Sequence, residues 1–547
     1  MFIKITRNTK GDSYYHLVES YREGGKVKQR TLLSLGKVEE GRLEALATAI
    51  SKHLELSSIY DLAKDMDVSQ TYILGPLLVL EHLMGAFGIS SQLQAIKRHN
   101  KHLQLPFEKI VFSMLCSRFI QPVSKLCLYD HWLERMYPQM VDHTIPLHHI
   151  YRSLDVLASH KEQIETSLYH YGKDMFSLQV DVVLYDLTTL RFESTVKETG
   201  KLRQFGYSKE NRSDCTQIVL GLLTDTDGVP LSFEAHPGNT FEGHTLSGIV
   251  DRMKNRFSVR RFIFIADRGL FSSANLDHIR HSQGEFIVGM KMGSLAKATQ
   301  LPLYDLGKYT WINEELAIYE TTQGSDRLII TWSRSRAERD RRTREDILDK
   351  IRKKMAKGNL SAKDFVTNTN YRKFVRLGTS DTCEIHEELI GEMASRDGFF
   401  AIVTNVTSLS ATELVSHYKQ LWKIEDAFGE LKGTLQARPV FHWTDRRILG
   451  HLVVCFLAYY LEAQLTKTLR EQSLKLESKS KEKGLVKQRP LTAVQAMAEL
   501  VTVMAVPVKL KSLTYWIRTD IPPNALQLIK AIGMRIPPKL LQRTTEM

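Results

Sequence analysis

The order of apolar and polar positions divides the chain into stretches of different secondary structure. Residues 1–40 contain three short runs with strand-like patterning, separated by the turn-forming NTKGDS and EGGK, which predicts a small basic β unit. Between 41 and 175, apolar residues recur at steps of three and four, as they do on amphipathic helices. From residue 176 onward, short apolar runs end in acids or turns, which indicates an α/β layout with a mixed sheet.

The second half of the chain returns to helical patterning after an interruption. Residues 176–291 are predicted to form the first part of an α/β core. Residues 292–398 indicate a β-rich insertion: a hairpin, a basic helix from Arg334 to Lys357, and two further strands. The core is expected to resume over 399–470, and 471–547 are expected to form a charged loop and a C-terminal helical tail.

One helical pattern places a carboxylate where an apolar residue is expected. Read as a single helix, residues 417–434 and the turn before them form a stripe of six side chains: Leu414, Tyr418, Leu421, Glu425, Phe428 and Lys432. An ionised Glu425 on a buried stripe is costly unless it is paired or neutralised. Two interpretations follow. Either Glu425 pairs with an arginine while Tyr418 and Lys432 extend to the rim of a core, or the stripe faces a cleft that holds a cation.

Two further acids suggest which groups share such a cation. Asp186 and Asp267 each follow an apolar strand, and reactive groups collect at strand ends in open α/β sheets. Either aspartate alone is equally typical of a helix cap or a loop. Together with Glu425 they form the oxygen-rich set that Mg²⁺ prefers, and two such ions about 4 Å apart promote phosphodiester cleavage.

The amino-acid composition indicates which class of partner the protein binds. The net charge is +13 and the isoelectric point about 9.2, which favours a polyanion such as nucleic acid. The five cysteines are scattered and form no CxxC pair, which argues against a zinc ribbon or a disulfide framework. No apolar signal core opens the sequence, and the longest apolar run, 452–461, is about half a membrane span. A cytoplasmic protein without a membrane partner is expected.

The motifs resemble those of a known family. Tyr418, Glu425 and Lys432 have the spacing of the Y-x2-R-x3-E-x6-K signature of DDE transposases of bacterial insertion sequences. The sequence YDLTTL around Asp186 resembles the first aspartate motif of that family, and IADRG around Asp267 resembles the second. The resemblance covers roughly 178–465 well and the N-terminal region more loosely.

The resemblance implies a fold and an activity. The expected fold is an RNase H-like catalytic core with a mixed sheet and a β-rich insertion before the glutamate helix. The N-terminal β unit is either a structural flap or an arm that contacts DNA, and the helical region over 41–175 is expected to bind DNA. The implied activity is cut-and-paste transposition: cleavage at transposon ends and strand transfer into target DNA by a synaptic homodimer. The implied cofactor is two Mg²⁺ ions per site, with Mn²⁺ able to substitute.

The resemblance also assigns individual roles. Asp186, Asp267 and Glu425 would hold the metal ions. The implied contacts with double-stranded DNA, at terminal inverted repeats and target, come from Tyr418 and Lys432, which would hold phosphates, and from Trp332. Lys423, a candidate substitute for the signature arginine, and Arg268 are further candidates for DNA contact. Trp332 or Trp311 would stack on a displaced base, although a tryptophan in a sheet more often packs in a core.

The sequence departs from the family signature at one position and leaves other functions open. Leu421 occupies the position of the signature arginine, so the DNA contact of that arginine does not carry over. The basic helix from Arg334 to Lys357 either tracks a DNA backbone or is a solvated charged face. Two other functions stay open: a metal-dependent nuclease without strand transfer, and a catalytically inactive DNA-binding regulator.

Overall fold

The computed structural model divides into two compact units. The first comprises residues 1–71, 505–519 and 538–547, and the second comprises the remainder. The helix predicted within 41–65 lies outside the described residues. The residues that the structure describes are 2–9, 11–24, 26–37, 66–68, 70–171, 181–193, 200–207, 214–241, 245, 248–250, 256–257, 261–267, 273–290, 292, 295, 303–356, 371–377, 383–473, 475–479, 486–490, 492–510 and 513–545.

The described strands follow the chain from end to end. They are β1 (Phe2–Arg7), β2 (Ser13–Glu23), β3 (Lys26–Gly36), β4 (Met66–Val68), β5 (Tyr72–Ile73), β6 (Asp181–Arg191), β7 (Gln217–Thr224), β8 (Pro230–Pro237), β9 (Phe262–Ala266), β10 (Glu285–Met290), β11 (Thr310–Asn313), β12 (Leu316–Gln323), β13 (Asp326–Ser333), β14 (Val375–Leu377), β15 (Cys383–Ile385), β16 (Phe399–Thr404), β17 (Lys475–Lys479), β18 (Val486–Pro490), β19 (Met504–Leu510), β20 (Leu513–Arg518) and β21 (Leu540–Thr545).

The longer helices lie almost entirely in the second unit. Those of eight residues or more are α1 (Gly75–Ala86), α2 (Ile89–His99), α3 (Phe107–Ile120), α4 (Leu147–Ser159), α5 (Lys161–Tyr171), α6 (Ser273–His281), α7 (Arg334–Ala356), α8 (Glu387–Ala394), α9 (Ala411–Lys419), α10 (Trp422–Gly429), α11 (Asp445–Glu471), α12 (Ala493–Leu500) and α13 (Pro523–Ala531).

The first unit is built from strands that pair in two sheets. Strands β1, β2 and β3 form an antiparallel sheet, which confirms the β unit predicted at the N-terminus. A second sheet has the order β21-β20-β19-β4. The prediction of a purely helical C-terminal tail is therefore wrong, because that part of the sequence contains β19, β20 and β21 as well as α12 and α13. The charged segment before them also contains a hairpin, β17–β18.

The helical part of the second unit surrounds one apolar helix. Helix α11 is 27 residues long and contacts α3, α4 and β8. It is long and apolar enough to cross a membrane, as is the bent pair formed by Phe107–Ile120 and Lys125–Arg135. However, 89% of the apolar stretch of α11 is buried inside the protein, as is typical of a core helix.

The centre of the second unit is a nine-stranded mixed sheet with the order β11-β12-β13-β16-β10-β9-β6-β7-β8. Strand β9 runs parallel to both β6 and β10, and all other neighbouring pairs are antiparallel. The inserted strands β11–β13 join this sheet through β16 instead of forming a separate one. The predicted hairpin and basic helix of the insertion are confirmed, but α8 lies between the two strands expected after them.

The two faces of this sheet have different surroundings, because successive side chains in a strand point to opposite faces. One face, the core face, contributes Val183, Tyr185 and Phe264 to a large buried apolar cluster. The opposite face carries Asp186 on β6 and Thr331 on β13, and it borders an open cleft beneath α9 and α10. We call this second face the cleft face. The sheet alternation therefore decides which side chains reach the candidate site.

Candidate active site

Two aspartates come together at the centre of the sheet. In the parallel pairing of β6 with β9, Leu184 lies opposite Ile265, and the offset between paired residues is constant along the register. Continuing that register by two residues places Asp186 beside Asp267 on the same face. The prediction that Asp186 ends its strand is wrong, because β6 continues to Arg191 by pairing with β7. Asp186 instead lies where β6 leaves its parallel neighbour.

Both aspartates and Glu425 line one open cleft of about 710 Å³. The sheet contributes its floor and α9, α10 and the first turns of α7 contribute its walls. The residues around it are Asp186, Asp267, Leu316, Thr331, Ser333, Ser335, Arg336, Arg339, Phe400, Ile402, Val415, Tyr418, Lys419, Leu421, Trp422, Ile424 and Glu425. The structure thus brings the three predicted carboxylates to the same cleft, although they are far apart in the chain.

Glu425 reaches the cleft from the exposed side of α10. The buried positions of this region are Ile424, Ala427, Phe428 and Leu431, which follow the i, i+3, i+4, i+7 pattern of one helix face. Glu425 is exposed and lies outside that stripe. The prediction that a buried stripe carries Glu425 is therefore wrong, and the carboxylate needs no compensation for desolvation. It is accessible to solvent and to a ligand in the cleft.

The helix predicted over 417–434 is interrupted twice. Helix α9 ends at Lys419, and α10 begins at Trp422. Between them the amides of Gln420 and Leu421 donate to carbonyls three residues earlier, at His417 and Tyr418. The chain then continues from α10 into a π-helical turn, Glu430–Thr434. Because both changes alter the residues per turn, the single predicted stripe is broken. Tyr418 and Glu425 line the cleft, whereas Lys432 does not.

Tyr418 contacts the second aspartate. Its hydroxyl group donates a hydrogen bond to Asp267 Oδ1 at 3.4 Å, and its ring packs on Phe400 with centroids 5.0 Å apart. Gly289 on β10 lies directly beneath, where a Cβ would collide with the Tyr418 hydroxyl oxygen and crowd Phe400. A glycine at 289 therefore creates the space that lets the phenol reach Asp267. No local pattern in the sequence points to Gly289, since the close approach depends on β10 and α9 meeting in space.

Three cationic side chains line the same cleft as the carboxylates. They are Arg336 and Arg339 from the start of α7 and Lys419 from the end of α9. The Arg336 guanidinium lies 4.6 Å from the centre of the Phe400 ring. No ion pair for Arg336 or Arg339 occurs within the described parts of the chain, whereas Arg341 pairs with Glu345 further along α7. The sequence predicted a basic helix, but not which of its arginines face the cleft.

Two further residues predicted to contact DNA, Lys423 and Lys432, do not line the cleft. The Lys423 ammonium group donates to the carbonyl oxygen of Thr226 and borders a neighbouring acidic cavity, not the cleft. Lys432, in the π-helical turn, is half-buried and does not line the cleft either. Arg268 lies outside the described residues.

Trp332 lies on the core face of the sheet. It pairs in register with Phe399 and packs against the buried apolar cluster. Its ring lies 5.5 Å from that of Trp311, at an angle of 69°. This placement corresponds to the core alternative and not to a base contact within the cleft, since the carboxylates occupy the opposite face.

The cleft has the donor chemistry for a hard divalent cation, but its carboxylates are not drawn tightly together. Asp186, Asp267 and Glu425 supply the oxygen ligands that Mg²⁺ and Mn²⁺ prefer. Within the described residues, however, no group of three His, Cys, Asp or Glu side chains is close enough to hold one ion. The adjacent aspartates form one half of the candidate site, and Glu425 approaches from the helix side. The residues thus fit the metal in chemistry, and a shared ion requires the three carboxylates to come closer together.

Comparison with known families identifies the class of protein that this cleft belongs to. The family model described as "Transposase DDE domain" matches residues 179–461, which is just over half of the chain. The chain therefore belongs to the DDE transposases of bacterial insertion sequences, and the resemblance found in the sequence is confirmed.

The N-terminal region matches a more particular family model. This model is described as "IS1634 family transposase, N-terminal domain", and it covers residues 3–58, which include β1, β2 and β3. No curated protein matches the chain.

Proposed function

We propose that this transposase cuts DNA at transposon ends and joins the freed 3′-hydroxyl group to target DNA, with Asp186, Asp267 and Glu425 as its catalytic residues. The observation that carries the proposal is the convergence of these three carboxylates on one cleft of the central sheet. The order β8-β7-β6-β9-β10, three antiparallel strands followed by two parallel ones, supports an RNase H-like core as the scaffold.

The cleft offers distinct positions for the metal and for the DNA backbone. Asp186, Asp267 and Glu425 are the proposed ligands of two Mg²⁺ ions, for which Mn²⁺ can substitute. When bound, the ions supply Lewis acidity that activates a water or a 3′-hydroxyl group and stabilises the leaving oxygen. Arg336 and Lys419 face the phosphates of the bound strand, because cations at a cleft rim attract a polyanion.

Tyr418 acts as a positioning residue in this proposal. Its hydroxyl group donates a hydrogen bond to Asp267 Oδ1, and its ring packs against Phe400. Gly289 has no Cβ and so leaves room for the hydroxyl group. A fixed carboxylate orientation matters for catalysis because misplacement of a reacting group by about 1 Å costs roughly 100-fold in rate. The proposed partners are double-stranded DNA, with terminal inverted repeats and target, and a second copy of the chain in the synaptic complex, in the bacterial cytoplasm.

The test is cleavage and joining of DNA that carries the terminal repeats flanking the gene, with Mg²⁺ present. Asp186→Asn, Asp267→Asn and Glu425→Gln are each expected to abolish cleavage while DNA binding is retained. Asp426→Asn is the matched control, since Asp426 is the exposed neighbour of Glu425 on α10 and lines the adjacent cavity instead. Cleavage at the wild-type rate by the Asp267→Asn variant would falsify the assignment.

The same assay separates the two other functions. Cleavage without joined products would indicate a nuclease. DNA binding without cleavage by the wild-type chain would indicate an inactive regulator, a function that Leu421 in the cleft wall favours because it replaces the signature arginine.

A further inference from the structure

A second cavity, of about 550 Å³, lies between α3 and the start of α11 and shares no lining residue with the cleft. We call it the basic cavity. It is lined by Arg118, Ser124, Lys125, Leu126, Tyr151, Phe441, His442, Trp443, Thr444, Arg447 and His451. No acidic side chain is among these residues. The transposase mechanism proposed above does not use any of them.

Two of its cations are buried, and no counter-charge for them is found among the described residues. Lys125 is 4% exposed and Arg118 is 5% exposed. One terminal nitrogen of Arg118 donates to the carbonyl oxygens of Leu435 and Gln436, but its Nε is buried and has no hydrogen-bond partner. For the Lys125 ammonium group, no hydrogen bond or ion pair is found in the part of the chain that the structure describes.

The unfavourable burial of this charge lowers the pKa of Lys125. Burial and the neighbouring charge of Arg118 lower the pKa of Lys125 to about 7. A buried ammonium group without a partner reduces the stability of the folded state, since burying a charge is unfavourable unless it is paired. An anion in the basic cavity would remove this cost, because it would supply the missing counter-charge.

The histidines of the basic cavity add no positive charge at neutral pH. Burial, with Lys125 and Arg118 nearby, lowers the pKa of His442 to about 3 and that of His451 well below its ordinary range. Arg447 supplies a third cation near the opening. The Arg447 guanidinium also has partners of its own, because it lies 3.7 Å from a carboxylate oxygen of Asp155 and over the ring of Tyr151.

Two aromatic side chains at the opening of the basic cavity indicate which class of anion it binds. Phe441 is 61% exposed and Trp443 is 50% exposed, which is unusual for side chains of this size. The guanidinium of Arg203 lies 4.6 Å from the centre of the Trp443 ring. Exposed aromatic rings beside cations are the combination that binds single nucleic acid strands, in which bases stack on the rings and phosphates contact the charges.

We propose that the basic cavity binds a phosphate group of a DNA strand whose adjacent unpaired base lies against Phe441 or Trp443. Lys125 and Arg118 hold the phosphate inside the cavity, and the aromatic rings hold the base at its opening. The site extends the proposed function in one respect, since it takes the same class of partner, DNA. It requires neither the metal ions nor the carboxylates of the cleft.

The test is the affinity of the full-length chain for a fluorescently labelled single-stranded oligonucleotide, measured by anisotropy in EDTA. Lys125→Met keeps the length of the side chain and removes its charge. It is expected to weaken binding about tenfold, as loss of a hydrogen bond to a charged group does. The slope of log K against log salt is expected to fall by about 0.7. The control, Lys97→Met, removes a charge from the exposed last turn of α2 and is expected to bind within twofold of wild type.

Thermal unfolding distinguishes a binding role from a structural one. Removing an unpaired buried charge is expected to raise the melting temperature of the Lys125→Met variant. A lower melting temperature with unchanged oligonucleotide affinity would overturn the proposal, because Lys125 would then serve the fold alone. Equal affinity losses in the Lys125→Met and Lys97→Met variants would overturn it as well.

A second variant tests the opening of the cavity with little risk to folding. Phe441→Ala removes an exposed ring and is expected to weaken binding of the oligonucleotide while leaving the affinity for inorganic phosphate unchanged. If inorganic phosphate or a mononucleotide binds in the basic cavity but the oligonucleotide does not, the DNA assignment is wrong. Because no cleavage is measured, these outcomes do not depend on whether the cleft is catalytic.

Discussion

The cleft and the basic cavity hold their charged groups in opposite ways. In the cleft, Glu425 is exposed to solvent, and the acids of the sheet line the same open space as the cations Arg336 and Lys419. In the basic cavity, Lys125 and Arg118 are buried, and no acid is among the lining residues that the structure describes. Solvated charges of both signs cost little and keep their freedom to move. Buried charges of one sign destabilise the fold, and a ligand that neutralises them recovers that stability.

The acidic counterpart of the basic cavity lies beside the cleft. There Glu462 on α11 is 7% exposed, and its carboxylate accepts a hydrogen bond from Thr466 at 2.8 Å. Burial, with the nearby charge of Glu430, raises the pKa of Glu462 to about 7. A buried acid and a buried cation are thus both costly, so the burial of a charge matters more than its sign. Four variants test this difference between solvated and buried charges.

The largest effect is expected in the cleft, where a small change in position matters most. Gly289→Ala is expected to push Tyr418 away from Asp267 and to lower the DNA cleavage rate about 100-fold. The measurement is the single-turnover cleavage rate at saturating DNA. Gly429→Ala is the control, because a Cβ at 429 meets no other atom within 4 Å. The double variant Gly289→Ala/Tyr418→Phe should lose no more than Gly289→Ala alone, and additive losses would show that the two residues act separately.

The next effect concerns stability and its dependence on pH. In the unfolded chain Glu462 ionises near pH 4.5, whereas in the folded protein it ionises near pH 7. Between these values the folded state binds more protons, so the wild-type chain loses stability as the pH rises. Above pH 7, the free energy of unfolding of the Glu462→Gln variant is expected to exceed that of wild type by roughly 2–3 kcal/mol. Near pH 4.5 the two free energies of unfolding are expected to be similar.

Urea unfolding at pH 5 and pH 8 measures this difference. The control is Glu471→Gln, which changes an exposed carboxylate at the end of the same helix. A Glu462→Gln variant with equal stability gains at both pH values would contradict the assignment of the raised pKa to burial.

A smaller effect is expected from the cations of the cleft wall. The double variant Arg336→Ala/Arg339→Ala is expected to bind duplex DNA about tenfold more weakly, with the salt slope reduced by about 2. The matched control is Arg341→Ala/Arg342→Ala, which removes the same charge from the same helix. Its arginines pair with Glu345 and Glu338 outside the cleft. Equal losses in both double variants would mean that net charge, and not position, governs binding.

The smallest effect is a gain of affinity. Leu421→Arg places a cation in the cleft wall at the position of the signature arginine, and is expected to raise duplex affinity about threefold. Val494→Arg adds the same charge at an exposed position of α12 and serves as the control. If both variants bind equally well, the position of Leu421 has no special role.

The three candidate acids were predictable from the sequence to different degrees, because their positions depend to different degrees on contacts between distant segments. Asp186 and Asp267 could be predicted because each follows an apolar run, and their separation in the sequence equals the register offset between β6 and β9. Glu425 was found through a pattern that assumed one regular helix. The structure keeps Glu425 in the cleft but replaces that helix with α9, a tight turn, α10 and a π-helical turn.

Other features had no local signal. The C-terminal strand β19 pairs with β4, which lies more than four hundred residues earlier, so no pattern near residue 504 could show its partner. The face occupied by Trp332 follows from the register of β13 against β16. Gly289 matters because α9 crosses β10 at that position, and the composition of β10 does not indicate this crossing.

By itself, the sequence determined the family, the strands and helices with strong periodicity, and the identity of the candidate acids. These depend on neighbouring residues and on motif spacing, which are local properties of the chain. Only the tertiary structure decided which charges are solvated and which are buried, and which arginines of α7 face the acids. Those properties depend on what packs against each side chain, and burial sets the cost of a charge more strongly than residue type does.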